Sequence, residues 1–556
     1  MILRRLYLYL VSAAALGTLA TGLSLLGMTV LLFVFNDPLA DSMRPAAAIW
    51  SAMTLVAFPV WGVHYWFARR YALRDPAERA SAIRRLYIYW ACLVLSIGAA
   101  IALAVTLARV LNPVLDGGRF DRLSASQGAW TAAVLLTLWA FHFRVASRDR
   151  AAVGEQGAPA TLRRWYFYPA LLFGLFMMLS GASYLIQMAS LKALHGSAPN
   201  YLVLSDAAGE LLGGLALWGF HARMLAVRFI EDDRKSTLRA LEGFIAVGVS
   251  IAAALIGASQ ILYYVVARVV GISNPGGVGN DILAGLAAPG SQLIVFGVAW
   301  FMLRRRLARD AGAAEASRQA AIRRLYTNLA ALVSLAAFGI GAGGVLWTLA
   351  EQAEAPIIGV QAADWKDPMS LWVTLLVVGA AVWLAHWRHA PATPERQSLS
   401  RRLYVWAALL VSVLAVLGGG IGLLNAVLQQ VFSARPRLDN PDNLNFGHAL
   451  AVVLVAAVIG IYHWRVLRAD AASRPAKAEA MMEAPVATVP EATVPEGPVV
   501  SRLEAVALVP PEPSVSGSAR RFVLSVEGAT DDDIHTALAG LPPQASYRLV
   551  PSDTTE

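Results

Sequence analysis

Apolar stretches of roughly 18 residues or more, long enough to cross a bilayer, recur from Leu6 to about Trp464 and are broken by short polar loops. About twelve can be counted, and they predict an all-α integral membrane fold. The first run lies behind Arg4 and Arg5, as a secretory signal would. It stays apolar from Leu6 to Phe35, far beyond a signal core of about 7 to 15 residues, and similar segments return later in the chain. It reads as a retained first helix.

That return has a period of roughly 80 residues. Arg4-Arg5-Leu6-Tyr7 is followed by Arg84-Arg85-Leu86-Tyr87, Arg163-Arg164-Trp165-Tyr166, a worn Arg239-Ala240-Leu241-Glu242, Arg323-Arg324-Leu325-Tyr326 and Arg401-Arg402-Leu403-Tyr404. Stepping 17 residues on from the second position of each motif reaches Gly22, Ala102, Gly181, Gly257, Gly341 and Gly419. Small residues at one offset give each first helix a face where another backbone approaches closely. The expected arrangement packs these glycine faces together, as a ring or paired bundle. Each unit closes on a second apolar run marked by Trp and His: Trp61 and His64, Trp139 and His142, Trp218 and His221, Trp300 with Leu303 in the His position, Trp383 and His386, and Gly460 before His463. Two helices per unit leave every unit in the same orientation, so the repeats are parallel.

The expected divisions are six hairpins over 1–80, 81–160, 161–235, 236–319 (degenerate), 320–397 and 398–468. A Pro/Ala/Val/Glu linker over 469–518 and a small β-α-β-like module over 519–556 follow. Loops between units hold most of the 46 Lys and Arg, which by the positive-inside rule sets them, and both termini, on the cytoplasmic side of a cell membrane. Composition agrees. The chain is 57% hydrophobic and 15% charged with a mean hydropathy of +0.55, against about 25% charged in soluble proteins. The single Cys92 excludes a disulfide framework and a Cys-based metal site.

In the opening Arg-Arg-Leu-Tyr-x-Tyr at Arg4 to Tyr9 and Arg84 to Tyr89, each followed by a helical hairpin, the chain resembles the bacterial and archaeal membrane repeats known as domain of unknown function 5671. The resemblance covers roughly residues 1 to 468 and departs in the fourth unit. It implies a multi-pass membrane protein and carries over no activity and no catalytic residue.

The repeated His64, His142, His221, His386 and His463 have two readings. Axial ligation of haem needs His from facing helices, and the first helices supply none. An interfacial anchor needs only Trp61, Trp139, Trp218, Trp300 and Trp383 in an aromatic belt, with His and Arg reaching headgroups. The second reading is favoured, so no cofactor is expected and haem stays the alternative. The opening residues Arg4, Arg5, Tyr7, Arg84, Arg85, Tyr87, Arg163, Arg164, Tyr166, Arg323, Arg324, Tyr326, Arg401, Arg402 and Tyr404 read likewise as interfacial anchors touching anionic lipid. Ionisable groups deep in a membrane are functional by default. Glu210, with Asp206 one turn earlier, is the main such group, although a helix N-terminus also welcomes acids. Gly339-Ile340-Gly341-Ala342-Gly343-Gly344 matches a dinucleotide-binding pattern but lies inside an apolar helix, where packing explains it better.

The expected function is non-enzymatic binding or transport of a small or lipidic molecule within the bundle. The first alternative is a scaffold presenting the C-terminal module to a cytoplasmic protein; the second is a haem protein. Neither a catalytic residue nor a metal site nor a nucleic-acid partner is expected.

Overall fold

The computed structural model describes residues 2–193, 203–229, 233, 236–273, 275, 282–311, 317–358, 361, 364–387, 391, 393–432 and 445–472. Twelve long helices run through them: α1 (Ile2–Val34), α2 (Arg44–Arg74), α3 (Ala82–Leu115), α4 (Arg122–Val153), α5 (Ala158–Ala193), α6 (Leu204–Met224), α7 (Thr237–Val269), α8 (Ala287–Ala311), α9 (Ser317–Ile358), α10 (Lys366–His386), α11 (Leu399–Phe432) and α12 (Asn445–Ala472). Ten of the described helices are long and apolar enough to cross a membrane. The ten are all but α6, which carries Asp206 and Glu210, and α8, which opens with Pro289, Gly290, Ser291 and Gln292. The chain is therefore read as a membrane protein.

An apolar medium offers backbone groups no water, so a helix, which satisfies them within its own segment, is the structure such runs adopt. Hydroxyls inside the spans obey the same rule. Ser12 donates to the Leu8 carbonyl at 2.7 Å, Thr29 to Leu25 at 2.8 Å and Ser412 to Ala408 at 2.8 Å. At the loop-facing start of α4, Asp121 accepts the Ser124 amide at 3.0 Å. Hydrogen bonds from Ser124 hold its carboxyl below the ordinary carboxylate range.

Each odd-numbered helix pairs with the next to form a hairpin, numbered here 1 to 6. A second contact rule joins the hairpins: the first helix of one lies on the second helix of the next, α1 on α4, α3 on α6, α5 on α8, α7 on α10 and α9 on α12. The result is an open row, which departs from the ring, one of the two arrangements expected. No comparable contact joins the first hairpin to the last among the described residues.

The glycines have a different partner from the one expected. A Cβ built on Gly22 would meet Thr54 Oγ1 at 2.9 Å, on Gly181 the Leu211 amide nitrogen at 2.5 Å, on Gly257 the Pro289 carbonyl at 2.5 Å, and on Gly419 Val453 Cγ2 at 2.8 Å. Gly341 abuts the backbone of Leu376. Every one of these neighbours lies on the second helix of the same hairpin. The first helices do not pack glycine to glycine; the missing side chains let each hairpin close on itself.

Buried side chains divide the row. One cluster runs through hairpins 1 to 3, from Tyr9 and Leu16 through Tyr87, Ile88 and Cys92 to Tyr166, Leu217 and Phe229. A second joins hairpins 5 and 6 through Leu335, Trp387, Tyr404, Val405 and Val466. Hairpin 4 is tied to hairpin 3 by the smaller group Leu175, Leu179, Ala246 and Ala299. α12 extends to Ala472, slightly past the expected start of the linker. The rest of that linker and the expected β-α-β module at 519–556 lie outside the described residues.

Gly181→Val forces α5 from α6 and is expected to cost about 1 to 3 kcal/mol, the usual overpacking penalty. Gly17→Ala, where a Cβ meets nothing within 4 Å, leaves stability equal or slightly higher. Thermal melts of the two detergent-solubilised variants check the difference.

Candidate functional site

The chemistry that repeats sits where one hairpin meets the next, at the end of each second helix. In hairpin 2, the His142 ring places Nδ1 2.7 Å from the Leu138 carbonyl and Nε2 3.0 Å from the Tyr87 hydroxyl. A carbonyl only accepts, so Nδ1 carries the proton and Nε2 is left as an acceptor. The Tyr87 hydroxyl therefore donates to His142. Its lone pair accepts from Trp61 Nε1 of hairpin 1 at 3.0 Å. One hydroxyl thus joins three helices from two hairpins.

The same bridge recurs. Trp139 donates to Tyr166 at 3.0 Å, and Tyr166 donates to His221 at 2.8 Å. Trp383 donates to Tyr404 at 2.9 Å, and Tyr404 donates to His463 at 2.9 Å. Nδ1 of His221 and His463 is spent on the carbonyl one turn back, at 2.8 Å in both. His142, His221 and His463 are at most 1% exposed. At the ends of the row the bridge is partial. Tyr7, 58% exposed, has only His64, at 3.2 Å, among the described residues. Hairpin 6 carries Gly460 in the Trp position, packed on Ser412.

The opening arginines lie one turn further out and meet acids. Arg84 donates to Asp149 at 2.7 Å and to the Tyr9 hydroxyl at 3.1 Å. Arg85, with no exposed surface, reaches the Ala146 carbonyl at 3.3 Å and stands 3.6 Å from Glu155. Glu155 also accepts from the Tyr89 hydroxyl and from Arg163 at 3.1 Å. Asp233 accepts from Arg163 at 2.8 Å, Arg164 at 2.7 Å and the Tyr168 hydroxyl at 2.9 Å. Glu78 takes Arg4 and Arg5, and Asp470 takes Arg401 at 2.7 Å. Arg323 and Arg402 remain exposed, while the Arg324 Nε is buried.

These arginines were expected to reach lipid headgroups; most are instead ion-paired within the chain, because a buried guanidinium must be matched by a carboxylate. Further exposed basic residues of this rim lie on the second helices, among them Arg144, Arg148, Arg223, Arg304, Arg305, Arg465 and Arg468. The acids were missed in the sequence although they too repeat. Glu78, Glu155, Asp233, Asp310, Glu395 and Asp470 each follow the second motif position by about 70 residues.

Hairpin 4 departs from the pattern as a unit. Glu242 replaces the tyrosine and Leu303 the histidine, so both ends of the hydrogen bond are lost together. Glu242 accepts from Arg306 at 2.7 Å instead. Trp218 packs among apolar side chains of hairpins 3 and 4.

Glu210 lies away from the rim, half-buried on α6, with the Ser180 hydroxyl of α5 as its hydrogen-bond partner. Asp206 is exposed, 3.8 Å from Arg109. The first turn of α6 is capped from hairpin 2, where Asp116 accepts the Leu204 and Ser205 amides at 3.0 Å each. The structure does not bring Glu210 and the histidines together. No group of three His, Cys, Asp or Glu among the described residues could hold a metal ion.

The chain matches the family described as Domain of unknown function (DUF5671) three times, over residues 5–137, 164–288 and 324–458. The first and last matches each take in two hairpins, and the middle one takes in hairpin 3 and α7, stopping at the start of α8. No curated protein and no solved structure matches the chain.

Tyr166→Phe leaves the Trp139 and His221 nitrogens unpaired in an apolar seam, at about 1 to 3 kcal/mol for each stranded group, and a thermal melt should show a clear loss of stability. With both nitrogens of His142, His221 and His463 already engaged, axial ligation there would take the acceptor from a buried tyrosine hydroxyl. The purified protein is expected to lack a Soret band in its visible absorption spectrum.

Proposed function

The chain belongs to the family described as Domain of unknown function (DUF5671), and on that footing we propose that it binds, and passes across or along the bilayer, a small or lipidic molecule held between its hairpins, without converting it chemically. The observation that carries this reading is Glu210. A carboxylate set in a helix seam of a membrane domain is costly to hold there and is retained for a role. The rim acids are answered by arginines, whereas Glu210 is met by the Ser180 hydroxyl alone among the interactions that act on it. A hydroxyl orients a carboxylate without neutralising it, which suits a site that receives a cationic or hydrogen-bond-donating group.

The same reading extends to topology. All six hairpins cross the membrane, α6 and α8 included, since these two follow the contact rule of the other second helices. Twelve spans in six like-oriented hairpins put both termini on one side. The exposed arginines at the ends of the second helices favour the cytoplasmic side.

A native mass spectrum of the gently solubilised protein tests the reading. A stoichiometric bound mass is expected for the wild type, and Glu210→Gln should lose it with an unchanged melting temperature. Bare wild-type protein, or a set of bound masses that Glu210→Gln leaves wholly unaltered, overturns the site and favours a scaffold that presents residues 519–556.

A further inference from the structure

Among the five seams between consecutive hairpins, the one between hairpins 4 and 5 has all the residues of the tyrosine bridge and makes none of it. Tyr326 occupies the usual place. It leans on Phe244 at 5.7 Å between ring centroids, as Tyr87 leans on Tyr9 at 5.6 Å. Trp300 precedes it on α8, and His386 stands beside it at 6.0 Å between centroids, with Nδ1 spent on the Val382 carbonyl at 2.9 Å. Yet the Tyr326 hydroxyl, Trp300 Nε1 and His386 Nε2 have no hydrogen-bond partner among the described residues, and all three side chains are partly exposed. Neither large apolar cluster crosses this seam.

The open seam is also positively charged. Arg304 stacks over Trp300 at 5.5 Å and stands close enough to Tyr326 to act on it electrostatically. In the closed seam between hairpins 2 and 3, the residue one place after the histidine position is the apolar Phe143; here that place holds Arg304. Two neutral donors, a guanidinium and an imidazole make a set suited to a phosphate group. The set lies at the arginine-rich rim of a membrane domain, the depth of lipid phosphates.

We propose that the seam between hairpins 4 and 5 is a phosphate-binding site, built from Trp300, Arg304, Tyr326 and His386, that takes the phosphate of an anionic phospholipid or of a soluble phosphate compound. The ligand supplies the polar bridge that Trp, Tyr and His make for one another in the closed seams. The site is distinct from Glu210 and stands or falls without it.

The test is native mass spectrometry of the full chain titrated with phosphatidylglycerol, phosphatidylcholine or inorganic phosphate. Wild type should bind one phosphatidylglycerol saturably, and Arg304→Gln should weaken that binding at least tenfold. The double variant Tyr326→Phe, His386→Ala should do the same with an unaltered melting temperature, while Arg144→Gln, at a closed seam, and Glu210→Gln bind as wild type. Inorganic phosphate that binds with the same dependence on these variants, or displaces the lipid, identifies a soluble ligand for the same site. No saturable binding of either anion, or binding indifferent to Arg304→Gln and the double variant, overturns the proposal.

Discussion

A single phenolic hydroxyl that accepts from one hairpin and donates to another is the contact on which the rest of the row depends. In water such a bridge would be worth little, because each partner could turn to solvent. In an apolar seam every polar group must find its partner within the protein, and a stranded one costs about 1 to 3 kcal/mol. Tyr87 can satisfy Trp61 and His142 together only when α2, α3 and α4 stand in one relative register. Repetition of that demand at Tyr166 and Tyr404 fixes the spacing of consecutive hairpins. The Arg and acid clusters just outside act on the connecting segments, where Glu155 and Asp233 each gather arginines and a tyrosine and so pin the start of one hairpin to its neighbour.

The family relationship and the packing divide the chain differently. By sequence the family match recurs three times, each copy taking in at least three helices of two consecutive hairpins. By buried side chains it is a block of three hairpins and a block of two, with hairpin 4 between them. The exchange of Tyr for Glu242 and His for Leu303 reconciles the two views. The second half of the middle copy has lost both ends of the bridge at once and substituted a Glu242–Arg306 pair within its own hairpin. It keeps the fold of the family while ceasing to latch its neighbours, which leaves the blocks on either side as separate cores.

The helices, the hairpins and the repeat were legible in the sequence because apolar length and a motif at constant spacing are local signals. The glycine positions were legible too, but their partner was not, since an offset along one helix does not say which backbone approaches it. Trp, Tyr and His each look like interfacial anchors when taken alone. Their roles emerge only from the contact of α1 with α4 and its counterparts, which brings residues of different hairpins to one point. The acids at Glu78, Glu155 and Asp233 lie in connecting segments of varied composition, where a carboxylate is unremarkable until its regular distance from the arginine pair is noticed.

The bridge also has a direction: tryptophan comes from the preceding hairpin, tyrosine and histidine from the following one. Tyr7 at the start of the row keeps an acceptor site open, whereas Gly460 at its end offers no donor. Growth of such an array by gene duplication is therefore polar. A further copy placed ahead of hairpin 1 meets a tyrosine ready to be latched, while one appended after hairpin 6 meets a glycine already packed against Ser412. The loss of one indole at Gly460 thus makes the two faces of the row unlike.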